Sequence, residues 1–164
     1  MLYNSGETRL TGPRPQSPQE QARIAGDHYN YWFPQATDFF ETFEFHYAAQ
    51  KWNLAAFDLH QAAESAYKAI LLVFTNYFPK EHYLHILGGQ AVKQIPDLIN
   101  IFPQATQQQT VRFDALNYAY IGARYDPDFR ISQEDLDYLA ERVRMLLNRA
   151  AAACTEKLRQ IAEG

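Results

Sequence analysis

His60, Gln61, Glu64 and Lys68 lie one, three and four residues apart, so a helix running through them carries all four on one side. Two readings are open for this group. It is a polar, ligand-facing strip, or it is an exposed helix flank with an ordinary Glu64–Lys68 pair worth roughly 0.2–0.5 kcal/mol. A second group, Arg124-Tyr125-Asp126, follows what reads as a helix end. An arginine fork beside an aromatic ring suits a phosphate together with a base or ribose. Equally, Arg124 can tie its loop to Glu64 or to the last carbonyls of the preceding helix.

Other chemistries are poorly supported. Glu81, His82 and His85 sit close together, but H-E-x-x-H is absent and no helical Glu-x-x-His occurs, so no metal is expected. The phosphate-cradling G-x-x-x-x-G-K-[ST] and the dinucleotide G-x-G-x-x-G are missing, as is the nucleophile-elbow G-x-S-x-G. No cofactor is implied.

The elements that must position these groups read as helices. Trp32, Phe33, Phe39, Phe40, Phe43 and Tyr47 recur at helical spacing, with Pro34 expected near the start of that helix. Residues 51–77 carry a stripe from Leu59 through Ala62, Ala63, Ala66, Ile70 and Val73 to Phe74 and Tyr77, with Pro79 as its stop. Gly88-Gly89 and Pro96 are expected to break 82–102 into short helices. A fourth helix runs from about 106 to Gly122, where glycine ends it and a polar loop carrying Arg124 begins. Ser132 caps a last helix of about 30 residues, with Glu134 and Asp135 in its first turn. Period-two alternation is nowhere sustained. The reading is all-α, an antiparallel up-and-down bundle of four to five helices spanning 21–164. Residues 1–20 hold five of the fifteen glycines and prolines and read as a flexible arm or interdomain linker.

Composition narrows the class. Fifteen Lys and Arg against nineteen Asp and Glu give a net charge of −4, unlike a general nucleic-acid binder. The lone Cys154 excludes an internal disulfide framework and a Cys-based zinc site within one chain. No apolar run approaches about 18 residues and no signal peptide opens the chain, so a cytoplasmic location is expected. Aromatic residues are abundant at 15%. Most of the phenylalanines and both tryptophans fall on helical stripes, as core or dimer interface. Tyr118, Tyr120 and Tyr125 cluster near Arg124, and Tyr125 alone stands outside the helical pattern, free for a ligand.

The segment from Leu54 to Leu72, centred on His60-Gln61-Ala62-Ala63-Glu64 and Lys68, resembles the signature helix of the HEPN (higher eukaryotes and prokaryotes nucleotide-binding) domain family. Phe78-Pro-Lys-Glu-His82-x-Leu84 and Tyr118-Ala-Tyr-Ile-Gly-Ala-Arg-Tyr-Asp-Pro127 extend the likeness over about 28–160. Leu2-Tyr-Asn-Ser-Gly-Glu7 is similar to the tail of a minimal nucleotidyltransferase that precedes such domains, although that enzyme's catalytic motifs are absent.

The resemblance implies a helical bundle that commonly dimerises. Many members are ribonucleases carrying an arginine followed, four to six residues later, by a histidine. Arg124 matches the arginine, but no histidine occurs after His85, so only His60 or His82 could stand in through space. The implied reading is therefore the non-catalytic branch: a homodimer binding a nucleotide or another phosphate-bearing ligand, or partnering a nucleotidyltransferase. Its expected site is Arg124 on phosphate, Lys68 adding charge, Tyr125 stacking, and Glu64 and His60 beside them with Glu64 orienting Arg124. The alternatives are a ribonuclease of toxin–antitoxin type and a purely structural interaction domain.

Overall fold

A computed structural model describes residues 15–164. It contains five α-helices: α1 (Pro18–Ala48), α2 (Trp52–Thr75), α3 (Leu84–Gln94), α4 (Gln107–Tyr125) and α5 (Gln133–Glu163). A short 3-10 helix, Pro96–Asn100, follows α3. Among the described residues there is no strand, and the all-α bundle is as expected. None of these helices is long and apolar enough to cross a membrane.

Helix starts follow local chemistry. Ser17, Thr106 and Ser132 each cap a helix through a reciprocal capping box, with Glu20, Gln109 and Asp135 as partners. Each box satisfies two amides that the first turn would leave orphaned. The first helix begins at Pro18. Of the expected 1–20 arm, residues 1–14 lie outside those described, as does the Leu2–Glu7 likeness to a nucleotidyltransferase tail.

Four helix boundaries differ from the sequence reading. Pro34 sits in the middle of the 31-residue α1 rather than near its start. Its missing N–H costs one backbone bond, and Thr37 Oγ1 donates to the Pro34 carbonyl at 2.9 Å. The second helix ends at Asn76, whose left-handed φ of 57° closes it before Pro79 is reached. Gly88-Gly89 do not break α3, which runs through both. Gly88 has a packing reason, since a Cβ there would stand 3.2 Å from the Tyr67 hydroxyl.

Gly122 does not end α4 either. It lies buried in the helix interior, where a Cβ would stand 2.6 Å from the Tyr118 ring and 2.9 Å from Phe129. That glycine admits two aromatic rings instead of terminating a helix. Consequently α4 continues one turn further, and Arg124 and Tyr125 belong to its last turn, not to a loop.

The second helix is the axis of the fold. It packs against α1, α3, α4 and α5, and seventeen of its 24 residues are buried. Ala55, Ala56, Ala62, Ala63 and Ala66 are fully buried, which lets the neighbouring backbones approach closely. The longest elements, however, are α1 and α5, of 31 residues each. Tyr47 bonds Asp137 at one end of α1, and Pro18 meets Gly164 at the other, so α1 and α5 are antiparallel. The short connection between α1 and α2 makes that pair antiparallel as well, and α2 and α5 share a direction.

Candidate functional site

The His60–Lys68 strip of α2 is not an exposed flank. His60, Glu64 and Lys68 are 0%, 5% and 4% exposed, and only Gln61 is partly open. The Glu64–Lys68 pair is present, with Nζ donating to Oε2 at 2.7 Å, but it is a buried pair. Burial raises its importance, because neither charge can be left alone in a low-dielectric interior. The Lys68 ammonium is roofed by Trp32 and Phe78, at 5.5 and 5.3 Å from the ring centroids. Those faces supply cation–π attraction in place of water.

The loop between α2 and α3 brings in a further member. Glu81 Oε1 accepts from the backbone amides of His82 and Tyr83, which holds the carboxyl below its usual range and fixes the loop. His82 Nδ1 then donates to Glu64 Oε2 at 3.1 Å. Its side chain stays 44% exposed, so the other ring nitrogen faces outward. Glu64 Oε1 and His60 Nε2 have no hydrogen-bond partner among the described residues. His60 Nδ1 bonds Gln61 Oε1 at 3.2 Å and lies 3.7 Å from Glu64 Oε1. Burial pushes the His60 imidazole down to about 4, against the opposing pull of Glu64, Gln61 and the nearby His82 backbone. At neutral pH it is therefore uncharged.

Tyr120 links this cluster to the surface. The His82 ring stacks on it at 4.5 Å and 10°, and the His60 ring lies 5.3 Å away. The Arg124 guanidinium stands 4.6 Å from the same ring, and 4.9 Å from both Phe57 and Tyr125. Arg124 Nε and Nη2 donate to the Tyr120 carbonyl at 2.8 and 2.5 Å. So the arginine ties to a terminal helical carbonyl, not to Glu64. The expectation that Glu64 orients Arg124 is corrected: Glu64 is spent on Lys68 and His82. The five residues named from sequence divide into a buried trio, His60–Glu64–Lys68, and an exposed pair, Arg124–Tyr125. Lys68 is buried beneath Trp32 and Phe78.

The HEPN domain family model matches residues 29–154. The chain belongs to the HEPN domain family. No curated protein gives a significant match. In this HEPN domain the polar centre is assembled across α2, the α2–α3 loop and α4 rather than within one segment.

Sequence reading placed Tyr120 and Trp32 on helical stripes and Phe78 only in the Phe78–Leu84 motif, and weighed His82 only as a metal ligand or a through-space substitute. The signal for His82 was its place in the Phe78–Leu84 motif. A separate, half-buried pair was also missed. His46 Nδ1 lies 2.5 Å from Asp58 Oδ2, joining α1 to α2, with Asp58 only 6% exposed. Burial raises the Asp58 carboxyl while His46 opposes the shift. An acid on an otherwise apolar helix stripe is the sequence signal for such a pair. Among the described residues no group of three or more His, Cys, Asp or Glu is arranged to hold a metal ion.

Proposed function

We propose that the protein is a non-catalytic, homodimeric HEPN module that binds a nucleotide or another phosphate-bearing ligand at the Arg124–Tyr125 corner of α4. The observation that carries this reading is the state of the Arg124 guanidinium. It is exposed, set 4.6–4.9 Å from three aromatic ring centroids and fixed by two bonds to a single carbonyl. Among the described residues no carboxylate neutralises it, and its Nη1 donates no hydrogen bond. A preordered arginine with donors to spare suits a phosphate oxygen, at less entropic cost than a free side chain. Tyr125, 71% exposed, offers a face for a base. His82, on the neighbouring tyrosine ring, adds a further donor or acceptor.

Calorimetric titration of the full chain with ATP and with GTP tests the reading. Saturable binding that disappears in Arg124→Ala is expected, along with a solution mass twice the 19.0 kDa of the chain. A folded protein that gives no heat at millimolar nucleotide overturns the binding claim, and a monomer overturns the dimer.

One observation favours a second reading, a ribonuclease. Glu64 orients His82 much as a carboxylate orients a general base, and His82 shares the Tyr120 ring with Arg124. That reading requires RNA cleavage lost in both His82→Ala and Arg124→Ala. Intact RNA after prolonged incubation with the wild-type protein dismisses it.

A further inference from the structure

The first turns of α1 meet the last turns of α2 and α5 around a cavity of about 300 Å³. The apolar part of its wall includes Ile24, Leu72, Phe74 and Ile161. Its polar members are Gln16, Gln21, Thr75, Asn76 and Lys157, and no Asp or Glu is among them. Three of these side chains are already engaged. Gln21 Nε2 donates to the Gln16 carbonyl at 3.1 Å, Thr75 Oγ1 donates to the Leu71 carbonyl at 2.6 Å, and Asn76 Oδ1 meets His28 Nε2 at 3.1 Å.

Lys157 is the charged member, and its charge is not met. The residue is half-buried, with its ammonium 5.5 Å from the Phe74 ring centroid. Among the described residues that ammonium makes no hydrogen bond and no ion pair. The acids nearest to it along α5, Glu156 and Glu163, are both held by Arg159. The last turn of α2 has no basic residue of its own, and a cation beside a helix C-terminus is worth about 0.3–1 kcal/mol. That accounts for an ammonium at this helix end, but not for the cavity and the apolar wall beside it.

We infer that this cavity is a binding site for a small monocarboxylate with an apolar tail, its carboxylate on the Lys157 ammonium and its tail against Ile24, Leu72, Phe74 and Ile161. Apolar surface supplies affinity, and the one charge orients the ligand. A void of about 150 Å³ already admits benzene, so this one has room for a tail of about six carbons. A single ammonium balances a single negative charge. A phosphate monoester, at about −1.5 to −2, would keep a charge that no second cation of the wall meets. The ligand chemistry of this site is therefore distinct from that of the Arg124 corner.

Hexanoate and its neutral counterpart hexanamide are suitable probes, titrated into the full chain at neutral pH and followed through the Thr75 and Asn76 amide resonances. Hexanoate is expected to shift those amides saturably and to bind roughly 5- to 10-fold tighter than hexanamide, the margin of a charge-assisted over a neutral hydrogen bond. Lys157→Met keeps an apolar chain over Phe74 and removes the charge, so it should fold normally and abolish the preference for hexanoate. A preference that persists in Lys157→Met places the carboxylate elsewhere and overturns the assignment. Equal affinity of the wild-type protein for the two probes, or no saturable shift with either, overturns it without recourse to the variant.

Discussion

Glu64 and His82, eighteen residues apart in sequence, meet through Oε2 and Nδ1 at 3.1 Å, on the same oxygen that Lys68 holds at 2.7 Å. One buried carboxylate oxygen thus joins the central helix to the loop that follows it. The other oxygen, Oε1, has no hydrogen-bond partner among the described residues. Any change to one member is therefore felt by the rest.

Lys68→Met removes the ammonium and leaves Glu64 buried with only His82 to balance it. Destabilisation of about 3 kcal/mol is expected by urea unfolding, the range for stripping one partner from a buried pair. The double variant Glu64→Gln/Lys68→Met should recover much of that loss, because no uncompensated charge is then left inside. An additive double variant would show that the pair is not coupled.

Arg124→Ala should separate binding from folding. The side chain is exposed and its ring contacts lie at the surface, so stability should change by less than about 1 kcal/mol. Nucleotide binding should be lost. Arg124→Lys should also bind poorly, since an ammonium cannot hold the Tyr120 carbonyl with two parallel donors while presenting others. Calorimetry and thermal melts on the same samples make the comparison.

His60 predicts an acid-side loss of stability. Its ordinary value of 6.5 is pushed down to about 4 in the folded protein, chiefly by burial. Between these values the unfolded chain binds the proton more readily than the native one. Stability is then complete above pH 6.5 and falls as pH drops toward about 4, by up to about 3 kcal/mol. Asp58, raised by burial, tilts the curve the opposite way, from its ordinary 3.8 upward. The diagnostic is therefore the difference between wild type and His60→Gln, which should flatten the slope in that window. Parallel curves for the two proteins would contradict it.

The helical glycines should respond with opposite signs. Gly122→Ala should destabilise by about 1–3 kcal/mol, because its methyl would stand 2.9 Å from the buried Phe129 ring and closer still to Tyr118. The hydrogen bond from Tyr118 to Asp126 keeps the nearer ring from swinging away freely. Gly89→Ala should stabilise by about 0.5–1 kcal/mol, since the Cβ enters open space. Thermal denaturation of the two variants gives the comparison.

Much of the bundle was legible in the sequence because helices report themselves locally. The Leu59–Val73 stripe, the Ser132 cap and the reach of the last helix are set by residues a few positions apart, and all three stand as read. Two of the errors are of one kind. Gly88 and Gly122 look like breaks because glycine lowers helix propensity, but their neighbours in space, Tyr67, Tyr118 and Phe129, need the room. Local preference was overridden by packing that no short window contains.

The same division runs through the candidate site. Sequence alone determined that His60, Glu64 and Lys68 share a helix face, since helical periodicity depends only on spacing. It did not determine that Arg124 follows Tyr120 by one helical turn, since the helix was expected to end at Gly122; the longer α4 is what lets the guanidinium reach the Tyr120 carbonyl. Only the tertiary structure decided that the first group is buried and the second exposed, that Glu64 serves His82 instead of Arg124, and that Tyr120 stands between them. Burial and cross-helix partners are properties of how the helices pack against α2. A residue's charge is written in the chain, but the dielectric around it and the partner it meets are fixed only once five helices close around one another.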